Sequence, residues 1–145
     1  MDALISDVHE GYSSIGLQEP TITHLRSIDE ASRCKSPYYI VGTVPDFEPS
    51  SPEEILARDM LQAILKAPEK GVLLDMCYKP RETRHIILAR ADGWETIDGV
   101  NIIAYQIEEQ WSLWAGRKEA EKIPVQEARK VLYEAAVGGT KRANA

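Results

Sequence analysis

Three short apolar runs, each followed by a stretch with helical spacing, constrain this chain more than any other feature. Residues 38–44 (YYIVGTV) are almost continuously apolar and rich in β-formers, the pattern of a strand buried on both faces of a parallel sheet. Residues 72–76 (VLLDM) repeat that pattern, and residues 95–97 (ETI) give a shorter strand. A helix is expected after each. Ser51 is a credible N-cap, Pro52 suits the first helical position, and Glu54 completes a capping box. Ile55, Leu56, Met60, Leu61, Ile64 and Leu65 follow on one face, and Pro68 stops the helix. Strand, helix, strand, helix, strand, helix predicts an α/β fold with a parallel sheet flanked by helices. In such sheets ligands bind at the carboxyl ends of the strands.

The remaining helices are read the same way. Residues 81–91 place Ile86, Ile87 and Ala91 inward, with Gly93 as the stop. Residues 101–115 carry Ile103, Ile107, Trp111 and Trp114 as a stripe, with Gly116 just past the end. A last helix starts at Pro124 and puts Val125, Ala128, Leu132 and Ala135 on one side. Toward the amino end, residues 2–12 suggest a short helix, residues 21–26 (TITHLR) a short strand, and residues 28–34 a helical turn. The expected organisation is one domain over residues 1–137 and a flexible tail over 138–145.

Composition excludes several classes. Net charge is −6 without a clustered basic patch, which argues against direct nucleic-acid binding. No stretch approaches the ~18 apolar residues of a membrane span. The first residues carry acid early and no basic run ahead of an apolar core, so no secretory leader is expected. Cys34 and Cys77 show no CxxC spacing and read as reduced thiols, in keeping with a nuclear or cytoplasmic protein. His9, His24 and His85 lack ligand spacing, so no metal is expected.

Candidate site residues lie where the strands end. Tyr78, after the second strand, either offers its phenol to a polar ligand or anchors its loop. Asp75 reads first as a cap for the following turn. Gln106 sits beside the stripe of the long helix. It is either a surface glutamine or an amide able to donate to and accept from a hydroxylated acid. Trp94, Trp111 and Trp114 read as packing residues. No glycine-rich phosphate loop and no nucleophile–base pair can be argued from spacing.

Several motifs then line up in order. They are Gly42-Thr43-Val44-Pro45; Asp75-Met76-Cys77-Tyr78-Lys79-Pro80 with Thr83; Asp98-Gly99; and Gln106, Gln110, Trp111 and Trp114-Ala115-Gly116. Across residues 38–116 the chain resembles the C-terminal half of shikimate dehydrogenase. The resemblance implies a partial Rossmann-like sheet without its first two strands and without the glycine-rich loop. It places Tyr78 and Gln106 in a substrate-like crevice, and Thr43, Gly99 and Ile102 in a cofactor-like one.

The departures shape the functional expectation. The family's catalytic lysine and aspartate belong to an N-terminal domain that finds no counterpart in these residues. Ile102 replaces a methionine, Trp111 a phenylalanine and Ala115 a threonine, while Thr83-Arg84-His85 breaks a Thr-Pro-Leu run. No catalytic residue is therefore expected in this chain, and any NADP site would be vestigial. The eroded motifs favour a resemblance to the fungal quinate repressor family, whose role is transcription regulation through an activator protein and a quinate- or shikimate-type metabolite. The alternative is the NADP-dependent shikimate dehydrogenase domain that ends the pentafunctional shikimate-pathway protein. A sheet without its central strands also implies a homo-oligomer through residues 38–44, or a rearrangement in which residues 21–26 fill the gap.

Overall fold

The computed structural model describes residues 2–140. Its sheet has three parallel strands in the order β1 (Tyr39–Gly42), β2 (Val72–Asp75) and β3 (Glu95–Ile97). The register pairs Ile40 with Leu73 and Leu73 with Thr96. The expected α/β architecture is present, with residues 38–44 and 72–76 as neighbouring parallel strands.

Helix α3 (Pro52–Leu65) starts where the sequence signals it. The Ser51 hydroxyl accepts from the Glu54 N–H, and the Glu54 carboxylate accepts from the Ser51 N–H. Two of the helix's orphan amides are thereby satisfied locally. Helix α4 (Arg84–Ala91) is capped by Thr83, whose hydroxyl accepts from the Ile86 N–H. Helix α5 (Gly99–Ala115) is capped by Asp98. These connections return each helix to the sheet, and Leu65, Leu73, Ile86, Ala89 and Trp94 form the core between them. The Trp94 indole N–H donates to the Leu65 carbonyl at 2.9 Å, so a polar atom enters that core with its partner. Gly71, just before β2, admits no Cβ because the Tyr38 carbonyl occupies the space.

Beyond the sheet lie α1 (Asp2–Ser14), α2 (Ile28–Arg33), the short α6 (Arg117–Ala120) and α7 (Val125–Thr140). Helix α7 lies along α5, with the Arg129 Nε–H donating to the Ala104 carbonyl and the Tyr133 hydroxyl to the Asn101 side chain. Of the expected tail, residues 141–145 fall outside the described residues.

Several expectations need correction. Residues 21–26 form no strand, because no neighbouring strand offers them a ladder; they run as irregular chain beside α1 and α2. They do not fill the gap beside β1. Residues 38–44 are not buried on both faces: β1 is an edge strand, with Tyr39 71% and Val41 57% exposed. Helix α4 turns Ile86 and Ala89 inward, leaving Ile87 and Ala91 in solvent. The expected stripe of α5 is not buried: Ile103 and Ile107 are half-buried, while Trp111 and Trp114 pack edge to face on each other and remain exposed; the helix buries Gly99, Val100 and Ala104 instead. Ala135 of α7 is exposed as well, while Val125, Ala128 and Leu132 are half-buried.

Candidate functional site

The parallel register puts three segments side by side at the carboxyl edge: Thr43 after β1, residues 76–78 after β2, and Asp98 with Gly99 after β3. The Met76 N–H donates to the Gly42 carbonyl at 2.8 Å, extending the ladder one residue past β2. Gly99 lies so close to the next loop that a Cβ there would sit 2.5 Å from the Met76 carbonyl oxygen and 2.6 Å from that of Cys77. A side chain at this position would push the start of α5 off the strand ends.

Asp75 is the buried centre of this edge. One carboxylate oxygen accepts from the Thr83 hydroxyl at 2.6 Å, and the other accepts from the Cys77 N–H at 2.9 Å. The His85 Nδ1 lies 3.6 Å from the first oxygen. A Cβ on Gly42 would meet this carboxyl at 3.3 Å, so a residue without a side chain faces it across the ladder. Asp75 thus fixes the turn after β2 and, through Thr83, the start of α4. The sequence named Asp75 as a cap and grouped Thr83 with it in one motif, but did not show that the two are bonded.

Asp98 organises the neighbouring strand end. Its carboxylate accepts from the Asn101 N–H at 3.0 Å and from the Arg81 Nε–H at 2.7 Å. Burial alone raises the Asp98 carboxyl, but the Arg81 hydrogen bond, the Asn101 N–H and the Arg81 charge outweigh that and hold it below the usual carboxylate range. The Arg81 guanidinium also lies 5.9 Å from the Tyr133 ring centroid, and Tyr133 donates to Asn101. A chain of contacts therefore links α7 to the carboxyl edge. Asp98 and Asn101 form a local cap, whereas Arg81 and Tyr133 join them through tertiary packing that local spacing does not announce.

The predicted crevice residues are placed unevenly. Thr43, Tyr78 and Gly99 lie at the carboxyl edge, and half-buried Ile102 is in the first turn of α5. Tyr78 is 60% exposed. Gln106 lies a turn farther along α5, exposed, with its carbonyl accepting from Gln110 at 3.2 Å. A separate cleft of about 390 Å³ lies between α5 and α7, lined by Ala104, Tyr105, Gln126, Arg129, Lys130 and Tyr133. None of the predicted crevice residues lines it.

The fit of a dinucleotide can be tested at the helix ends. A pyrophosphate needs free backbone N–H groups at a helix N-terminus. At α3 the Glu54 N–H donates to the Ser51 hydroxyl and the Ser50 and Ser51 N–H groups to the Glu54 carboxylate, and at α5 the Asn101 N–H donates to the Asp98 carboxylate. Two of the helix starts at this edge therefore already hold an anion. A pyrophosphate at either helix start would have to displace its carboxylate cap.

Similarity to known proteins follows the same geometry. A quinate dehydrogenase of Emericella nidulans is 33% identical over 92 residues, covering 60% of this chain and 28% of that protein. An NADP(+) shikimate dehydrogenase of Pelobacter propionicus is 27% identical over 121 residues, covering 74% of this chain and 43% of that protein. The chain is similar to part of a shikimate dehydrogenase-like domain. A shikimate dehydrogenase of Streptococcus gordonii adds 39% identity over 66 residues, covering 45% of this chain and 22% of that protein. The chain thus spans less than half the length of these curated relatives. No family model matches it.

Proposed function

We propose that these residues form the carboxyl-edge portion of a quinate- or shikimate-type domain that holds a polyhydroxylated carboxylic acid without turning it over. Tyr78 and Gln106 face the acid; Thr43, Gly99 and Ile102 form the neighbouring, cofactor-like part of the crevice, which takes up no dinucleotide. The observation that carries this reading is the convergence of Thr43, Tyr78 and Gly99 at one end of three parallel strands, held there by the Asp75–Thr83 bond. Similarity to a quinate dehydrogenase and to two shikimate dehydrogenases supports the substrate class. The acid-capped helix starts support the absence of dinucleotide binding.

In this reading the chain acts in control of quinate use, through contact with a transcription activator. The exposed aromatic surface of Trp111 and Trp114 is suited to a protein partner. The second reading is catalysis as part of a larger NADP-dependent dehydrogenase, favoured by the activities of the similar proteins.

Titration calorimetry with quinate, shikimate and NADP(H), followed by a hydride-transfer assay on the same sample, separates the two. Heat with an acid, none with NADP(H), and no turnover is the expected result. Hydride turnover would establish the dehydrogenase reading. No heat with any of the ligands, even with a full-length parent chain, would remove both.

A further inference from the structure

The outer edge of β1 is unpaired among the described residues. Tyr38 and Gly42 accept through their carbonyls from the Val72 and Met76 N–H groups, each at 2.8 Å. Backbone groups of alternate residues point to the same side of a strand. Residues 38, 40 and 42 therefore face β2, and the N–H and C=O groups of Tyr39 and Val41 point to the other side. Among the described residues no strand pairs with that side.

Natural edges are protected by charge, proline, bulges or a covering element. This one has none of the first three. The stretch from Tyr38 to Val44 contains no charged residue and no proline, and the β1–β2 register runs without a break. The Tyr39 and Val41 side chains share one face of the sheet, opposite the Ile40 side that packs against the core, and both are exposed. Tyr38 closes against the Tyr39 ring edge to face at 4.6 Å between centroids, so the aromatic surface at this edge is continuous.

We propose that two copies of this chain associate through antiparallel pairing of their β1 edges, about a two-fold axis that passes beside Ile40. Under a two-fold perpendicular to the sheet, paired residues must lie on the same face, so the register sums must be even. The register centred on Ile40 is the one that keeps every bonded residue within β1. It sets Tyr39 opposite Val41 of the second copy, and Val41 opposite Tyr39. Each such pair exchanges two backbone hydrogen bonds. The side chains then form two aromatic–β-branched cross-strand pairs, a favourable combination. The interface is isologous and closes at two copies. Just outside the neutral stretch, Lys35 precedes the strand and Asp46 follows it. Antiparallel alignment brings the basic end of one copy toward the acidic end of the other, whereas parallel alignment would bring like charges together. The result is one six-stranded sheet.

Sedimentation velocity of the 145-residue chain over a range of concentrations tests this independently of any ligand. The wild type is expected to sediment as a dimer, and Val41→Lys as a monomer with an unchanged circular dichroism spectrum. The double variant Tyr39→Glu/Val41→Lys sets an introduced carboxylate opposite an introduced ammonium at both cross-strand pairs, and is expected to recover the dimer. A monomeric wild type would overturn the proposal and leave the edge to a strand from another polypeptide. A dimer that survives Val41→Lys would place the contact elsewhere. A double variant that stays monomeric would overturn the register.

Discussion

Asp75 and Asp98 are two buried carboxylates at neighbouring strand ends, and they do different work. Asp75 is satisfied by a neutral hydroxyl and a backbone amide, so its role is to lock the turn. Thr83 serves twice, donating to Asp75 and accepting from the Ile86 N–H. Replacing it with valine leaves both partners short of a bond in a buried place, and should cost about 1–3 kcal/mol in urea unfolding. Asp98 is held below the usual carboxylate range by Arg81 and Asn101 despite burial. A carboxylate with a lowered folded-state value contributes stability that is present above its unfolded value, about 4, and is lost as pH falls through the folded one. The melting temperature should therefore drop on acidification below about pH 4, and Asp98→Asn should flatten that part of the profile. A wild-type profile unchanged by the substitution would show that Arg81 does not stabilise the carboxylate. The sequence marked both aspartates as strand-end residues. It could not show Thr83 or Arg81 as their partners, because those pairings depend on where the next loop and helix come back in space.

At the scale of elements, local chemistry was legible and burial was not. Ser51, Pro52 and Glu54 announce the start of α3 because the capping box closes within four residues. Ser51→Ala should cost about 1 kcal/mol by denaturant midpoint. Helical spacing also placed Ile103, Ile107, Trp111 and Trp114 on one side of α5. Periodicity gives the direction of a face and says nothing about whether an element lies against it, and Trp111 and Trp114 in the last turns of α5 are exposed. Trp94→Ala should thus cost about 3–5 kcal/mol, while Trp111→Ala should cost much less, as the 43% exposure of Trp111 requires. Equal losses in the two variants would mean that Trp111 is covered in solution. Residues 21–26 show the matching limit for strands. Alternating Thr, Ile and Thr favours extended chain, but a strand exists only when a partner supplies a ladder. Gly99 belongs to this scale too, since it sets how close α5 comes to the loop after β2. Gly99→Ala should destabilise by roughly 1–3 kcal/mol, because the obstacle is backbone and not a movable side chain.

For the whole molecule, the alternation of strands and helices was enough to give a parallel α/β sheet, and the ordered motifs from Thr43 to Gly116 were enough to give its resemblance. Three strands are a small sheet for this architecture, and of its two edge strands β1 carries the apolar residues expected to be buried. The carboxyl edge is the better-defined end: Asp75, Asp98 and Gly99 fix its backbone from three directions, while Thr43 and Tyr78 stand exposed on it and Ile102 half-buried beside them. The starts of α3 and α5 at this edge carry carboxylate caps. The direct measurement is an NMR titration of the 145-residue chain with quinate, following backbone amide shifts. Shifts concentrated at Thr43, residues 76–78, residues 98–102 and Gln106 are expected. Saturating quinate that moves none of these amides, or moves only those lining the α5–α7 cleft, would contradict the assignment of the carboxyl edge as the binding site.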